Sequence, residues 1–159
     1  MIHFRVALIP RAWGRPRAVV VQGRARMFSS NEQRANMDTF SSMAAQYAPA
    51  APLLGPLAVT LRFDMPTPAS WPGWRRENVG GAHHESRPDL DNLIKLVLDS
   101  MQKSGAWWRD DAQVSSITAS KGFASSPGTT VTIDQLEQPT RPVKSRITPS
   151  AQPALFSER

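Results

Sequence analysis

Four aspartates dominate the chemistry available to this sequence. Asp89 and Asp91 stand one residue apart and Asp110 and Asp111 are adjacent, all within RPDLDNLIKLVLDSMQKSGAWWRDDAQV, Arg87 to Val114. Crowded carboxylates repel one another unless a cation lies between them. Hard divalent cations such as Mg2+ prefer carboxylate oxygens, and water and substrate phosphate complete their octahedron. A cation held in this way can activate water against a phosphodiester. Asp91, Lys95 and Asp99 are spaced i, i+4 and i+8, so on a helix they share a face. Lys95 then lies one turn from a candidate ligand, where it can hold a phosphate oxygen or position water. Taken alone, the same residues also serve as a helix cap, a surface ion pair and a plain turn.

The positioning element lies between the two acidic groups. Leu93, Leu96, Val97, Ser100 and Met101 recur at helical spacing. Asp89 or Asp91 is the expected N-cap, and Gly105 is the expected stop. The pattern predicts one helix of about four turns. Short loops at its ends are expected to bring the acidic groups together in space.

The same stretch resembles the RusA family of Holliday-junction resolvases, common in phages and prophages. The family pattern is a basic residue followed by D-L-D-N-L, a Lys three positions past the Asn, and later a Trp and D-D-[SA]-Q-[VI]. Here Asp89, Asp91, Asn92, Leu93, Lys95, Trp108, Asp110, Asp111, Gln113 and Val114 match it. Arg87 stands where other members often carry Lys. The resemblance implies an α+β homodimeric endonuclease that uses Mg2+ to cut four-way DNA junctions in recombination and repair. Carried over by position, Asp89, Asp91 and Asp111 are the metal-binding carboxylates and Lys95 is the catalytic lysine. Asp110 is an alternative to Asp111, because the spacing before the D-D pair varies within the family.

At 159 residues the chain fits one domain with a real core. It has no Cys, which excludes disulfides and thiolate metal sites. No apolar run approaches a membrane span, and the N-terminal segment lacks a signal peptide's pattern. A cytoplasmic, nucleoid-associated location is expected. The formal charge is +6, and Arg outnumbers Lys. Forked guanidinium donors suit phosphate. Residues 1–31 contain Arg5, Arg11, Arg15, Arg17, Arg24 and Arg26 and no acid. A basic surface around an acidic pocket is what a metal nuclease requires, to draw in the backbone and hold the cation.

Along the chain, 2–9 alternates as a strand, and 18–22 and 25–28 flank Gly23-Arg24 as a hairpin. Ser29 and Glu32 form a candidate capping box for a helix running to about Tyr47, with Met37, Phe40, Met43 and Ala44 apolar-side. LAVTLRFDM reads as a strand with Leu57, Val59, Leu61 and Phe63 inward, and 114–124 and 129–136 as two more, joined by Ser-Ser-Pro-Gly. The order β-β-β-α-β-α-β-β predicts an α+β fold, a mixed β-sheet with two main helices on one face. Residues 1–136 form the expected nuclease domain.

Residues 65–86 are long for a loop and carry Trp71, Trp74, Arg75, Arg76, His83 and His84. We expect a flap that touches DNA and orders on binding. With no third soft ligand nearby, the two histidines do not suggest zinc. The expected DNA contacts are Arg11, Arg15, Arg17, Arg24, Arg26, Arg75, Arg76 and Arg87. From 137 to 159 the composition turns to Pro, Thr, Ser, Gln and Arg, an expected disordered tail. Its Gln152-Pro153-Ala154-Leu155-Phe156 resembles the Q-x-x-L-F peptide that binds the bacterial sliding clamp, making Gln152, Leu155 and Phe156 candidate partner contacts. The competing readings are a non-catalytic branched-DNA-binding protein and a nuclease acting on flaps or forks. A pure binder has no use for the acidic set, because carboxylates repel phosphate.

Overall fold

The structure, a computed structural model, describes residues 1–14, 17–28 and 31–138. Strand β1 (Ile2–Val6) turns Phe4 and Val6 into the core. It stops short of the expected Ile9 because its partner strand begins only at Gly128, leaving Val6↔Thr129 as the last pair. Strands β2 (Arg17–Val21) and β3 (Arg24–Phe28) form a separate two-stranded sheet. Gln22 and Gly23 have φ of 52° and 74°, two consecutive positive values that make a primed hairpin turn. The turn therefore lies one residue earlier than Gly23-Arg24.

Helix α1 (Asn31–Ala45) buries Phe40, Ser41 and Ala44, with Met43 packed at the edge of the core. Ser29, the expected cap, lies outside the described residues. Strand β4 (Leu57–Pro66) buries Leu57, Val59, Leu61 and Phe63, as its alternation predicts. A short helix, α2 (Gly73–Glu77), interrupts the expected loop. Then come α3 (Leu90–Ser104), a 3-10 turn (Asp111–Gln113), β5 (Val114–Ala124) and β6 (Gly128–Gln135).

The main sheet has the order β1-β6-β4-β5. β4 and β5 are parallel, whereas β1–β6 and β4–β6 are antiparallel, so the sheet is mixed. Helices α1 and α3 pack on each other and join its inner residues in one core, with Leu93, Val97 and Met101 of α3 among Leu61, Phe63, Val131 and Ile133. Each such buried side chain contributes about 1.5–3 kcal/mol relative to exposure. Trp107 and Trp108 close one end of the core, where Phe4 stacks at 4.9 Å on Trp107 and 5.1 Å on Tyr47. Among the described residues the architecture is α+β with two main helices and a third short one.

One topological feature positions the site. Parallel neighbours such as β4 and β5 require a crossover, and α3 supplies it. The helix runs back against the strand direction. Its N-terminus therefore lies beside the far end of β5, and its C-terminus beside the start of β5.

Candidate active site

The segment entering α3 is held by two other parts of the chain, β5 and the N-terminal loop. Asp89 is the N-cap, and its carbonyl accepts from the Leu93 N–H at 3.2 Å. Its side chain makes no capping bond, so the carboxylate is not spent on the helix. The preceding Arg87–Pro88 peptide is cis. From β5, Lys121 Nζ donates to the carbonyls of Ser86 and Pro88, both at 2.7 Å. From the N-terminal loop, the Trp13 N–H donates to the Asn92 carbonyl at 3.0 Å. An open hollow lined by Trp13, Arg87, Pro88, Asp89 and Asn92 results. Asp91 lies in the first turn, where a carboxylate also suits the helix dipole. Asp89 and Asp91 are both exposed. Lys95 follows on the same helix, and its Nζ pairs with Asp99 at 2.9 Å rather than reaching towards Asp91.

The other end of α3 is built differently. Gly105 ends the helix at φ 63° and donates to the Gln102 carbonyl at 3.0 Å, the stop the sequence predicts. Gln102 Nε2 donates to the Arg109 carbonyl at 3.0 Å, which ties the connector back to the helix. Asp110 accepts from the Ala112 N–H at 2.8 Å and forms a capping box with Gln113. The Gln113 side chain accepts from the Arg109 N–H at 2.9 Å and donates to the carbonyls of Leu53 and Gly55 at 3.0 and 3.1 Å. The D-D-x-Q pattern is thus partly a folding device. Asp110 is committed to the turn, while the exposed Asp111 carboxylate has no hydrogen bond or ion pair among the described residues.

The two acidic groups do not meet within one chain, contrary to expectation. The fifteen residues of α3 separate them by roughly 22 Å at 1.5 Å per residue. The strand side agrees, since Val114 to Lys121 of β5 spans about 23 Å. Among the described residues, no three Asp, Glu or His side chains gather closely enough to hold a metal ion. The cause is the crossover, which sends α3 end to end along β5. By donor chemistry the carboxylates still suit a hard divalent cation, with no soft ligand beside them.

The segment expected to order only on binding is already docked on β5. The Phe123 N–H donates to the Ala82 carbonyl at 2.9 Å, and His83 bridges Gly122. The rings of Trp71 and His84 lie on Phe123 at 4.6 and 4.7 Å, and the Arg75 guanidinium lies 3.8 Å from the Trp71 ring centre. Trp74 remains 69% exposed beside Arg75 and Arg76 on α2. His84 is buried, and burial first, then the Lys121 charge, lowers its pKa below the ordinary 6.5.

Of the other expected DNA contacts, Arg24 is exposed at the hairpin and Arg87 beside Asp89, while Arg11 is paired with Glu32. Arg17 and Arg26 lie on β2 and β3. Arg15, Gln152, Leu155 and Phe156 fall outside the described residues. Sequence reasoning missed Lys121 and Trp13. A signal for Lys121 existed: in VSSITASKGFA it occupies the alternation that Ala119 and Phe123 use to reach the core. Trp13 carried none, because its partner, the Asn92 carbonyl, is remote in sequence.

Two comparisons with known proteins bear on this geometry. The family model described as endodeoxyribonuclease RusA matches residues 8–134, spanning both acidic groups and Lys121. Uncharacterized protein YqaN of Bacillus subtilis (strain 168) is 26% identical over 139 residues, 85% of this chain and 96% of that protein. Among the described residues, no helix is long and apolar enough to cross a membrane.

Proposed function

The chain belongs to the RusA endodeoxyribonuclease family, and on that premise we propose that it is a Mg2+-dependent resolvase of four-way DNA junctions acting as a homodimer. Each active site takes Asp89 and Asp91 from one protomer and Asp111 from the partner subunit. The observation that carries this reading is the division between the two ends of α3 of three carboxylates that have no partner among the described residues. A two-fold axis that sets one end of α3 against the other end of its mate unites them, twice per dimer. A four-way junction offers two equivalent strands, which two such sites match.

The three carboxylates hold the cation, which supplies Lewis acidity towards the scissile phosphodiester. Lys95 meets the charge that develops on the phosphate. It does so by leaving Asp99, an exposed pairing whose loss costs at most about 1 kcal/mol. Arg87, Arg75, Arg76, Arg24 and Arg11, with Arg15, Arg17 and Arg26, contact backbone phosphates and set the register of the DNA. Trp74, exposed on α2, adds an apolar contact to the DNA. Residues 137–159 tether the nuclease to the sliding clamp through Gln152, Leu155 and Phe156; unchanged clamp capture by a Leu155→Ala, Phe156→Ala variant removes this assignment.

The test is cleavage of a labelled immobile four-way junction beside linear duplex, flap and fork substrates, with and without Mg2+. Paired symmetric nicks on the junction alone are the expected result. Equal cutting of flaps or forks reassigns the substrate, and binding without cutting in any divalent metal overturns the nuclease reading.

A further inference from the structure

Lys121 is the one side chain on the inner register of β5 that carries a charge, and its surroundings explain why. It pairs across the sheet with Phe63, and its neighbours in that register, Ala119 and Phe123, pack against the core. The ammonium is only half-buried, yet it does not turn to solvent. It lies between two carbonyls of the incoming chain, those of Ser86 and Pro88, with both contacts at 2.7 Å. Two convergent acceptors need a donor with at least two N–H groups, and a charged donor makes bonds roughly twice as strong as a neutral one.

The rest of this end of β5 is shaped to receive the same segment. The Phe123 N–H holds the Ala82 carbonyl, the His84 N–H approaches the Lys121 carbonyl at 3.5 Å, and the His84 ring rests on Phe123. A Cβ at Gly122 would lie 3.0 Å from the Ala82 carbonyl oxygen, so this close approach favours glycine, and a larger residue would push the two backbones apart by a few tenths of an ångström. Residues 121–123 thus form a cradle for 82–88. Lys121 is its last and strongest contact before Asp89, and the Pro88 carbonyl that it grips belongs to the peptide unit carrying the Asp89 nitrogen.

We propose that Lys121 is a positioning residue for Asp89: by gripping the Ser86 and Pro88 carbonyls it fixes where the Asp89 carboxylate stands and so preorganises the cation site from behind. The inference rests on the reading of Asp89 as a ligand. It assigns Lys121 no contact with the reacting atoms and no role in holding DNA. A neighbour that orients a ligand typically changes metal affinity by 10–100-fold when removed.

The experiment compares full-length wild type with Lys121→Met and Lys121→Arg. Mg2+ binding to the DNA-free protein is measured by calorimetry, four-way-junction affinity in EDTA by gel shift, and cleavage as a function of Mg2+ concentration. Amide exchange over residues 86–93 in metal-free protein is the fourth readout. In Lys121→Met we expect Mg2+ affinity to fall by about 10–100-fold, recovery of much of the rate at saturating Mg2+, unchanged junction affinity in EDTA, and faster exchange over 86–93. Lys121→Arg, which keeps two donors and the charge, recovers most of the Mg2+ affinity. Wild-type Mg2+ affinity in Lys121→Met overturns the inference. So does a loss confined to junction affinity, which would make Lys121 a phosphate contact. If Lys121→Met fails to fold, Lys121→Gln takes its place: weaker Mg2+ binding and faster exchange over 86–93 with unchanged junction affinity support positioning, and wild-type Mg2+ affinity or weakened junction binding alone refutes it. Failure of the wild type to bind Mg2+ or to cut is a different outcome, which removes the ligand reading of Asp89 and the proposed function with it.

Discussion

The two ends of α3 carry the same residue type and put it to different use. At the start, Asp89 caps the helix with its backbone alone and Asp91 has no partner among the described residues, while Lys121 and Trp13 grip main-chain atoms around them. The supports hold the backbone and leave the carboxylates free. At the far end, one aspartate is spent on a capping box with Gln113 and one is left over, beside two buried tryptophans. The contrast teaches how a pair of adjacent acids can be divided, one folding the turn and the other available for chemistry. It also shows why neither end makes a cation site alone, for each presents too few free carboxylates and the helix keeps them roughly 22 Å apart.

The sharpest way to break this comparison is to disable one end at a time. Asp91→Asn and Asp111→Asn should each lower junction cleavage by more than about 100-fold, beyond the usual loss of a supporting neighbour. Junction binding should hold or tighten as negative charge is removed. Mixing the two inactive chains should restore nicking of one strand, since one site of each mixed dimer regains all its carboxylates. No recovery after verified subunit exchange would place the whole site within a single chain.

Stability should divide along the same axis. Trp107→Ala, at the buried end, should cost about 3–5 kcal/mol in denaturant unfolding, whereas Arg87→Ala, at the exposed end, should stay within about 0.5 kcal/mol. Equal losses would mean that the two ends are not built differently.

A smaller effect tests the division of the acid pair itself. Asp110→Ala should cost about 1 kcal/mol through the lost cap. Asp111→Ala should leave the denaturation midpoint nearly unchanged while removing activity. If the two substitutions exchanged these effects, Asp110 would be the ligand.

The smallest effect concerns pH. Burial of His84, with the Lys121 charge behind it, lowers the pKa in the folded protein. The unfolded chain therefore takes up the proton first, near the ordinary 6.5. Stability is fully present above that pH and is lost as pH falls through the folded value. Denaturation midpoints at pH 8 and pH 5 should diverge more for wild type than for His84→Leu; parallel curves would show that the cradle does not sense this proton.

Much of the fold was legible because it is local. All five positions that spacing assigned to the inner face of α3 are buried, as are Leu57, Val59, Leu61 and Phe63 of β4. Periodicity reports which side of an element faces the core, and that needs no knowledge of partners. The hairpin turn was misplaced by one residue because positive φ at Gln22 is set by strand twist, not by composition. The loop 65–86 was read as free because the Phe123 ring that holds Trp71 and His84 is far away in sequence.

By itself, then, the sequence determined a helix between Asp89 and Gly105, with acids at both ends and a family pattern across it. Capping, period and spacing are properties of neighbouring residues. Only the tertiary structure decided that those acids stand apart, that Asp110 is consumed and Asp111 is free, and that a lysine on β5 holds the approach to Asp89. The physical reason is the parallel pairing of β4 with β5. That pairing stretches the helix along the sheet and brings Lys121 beside Pro88 and Gln113 beside Leu53, contacts that no local pattern encodes.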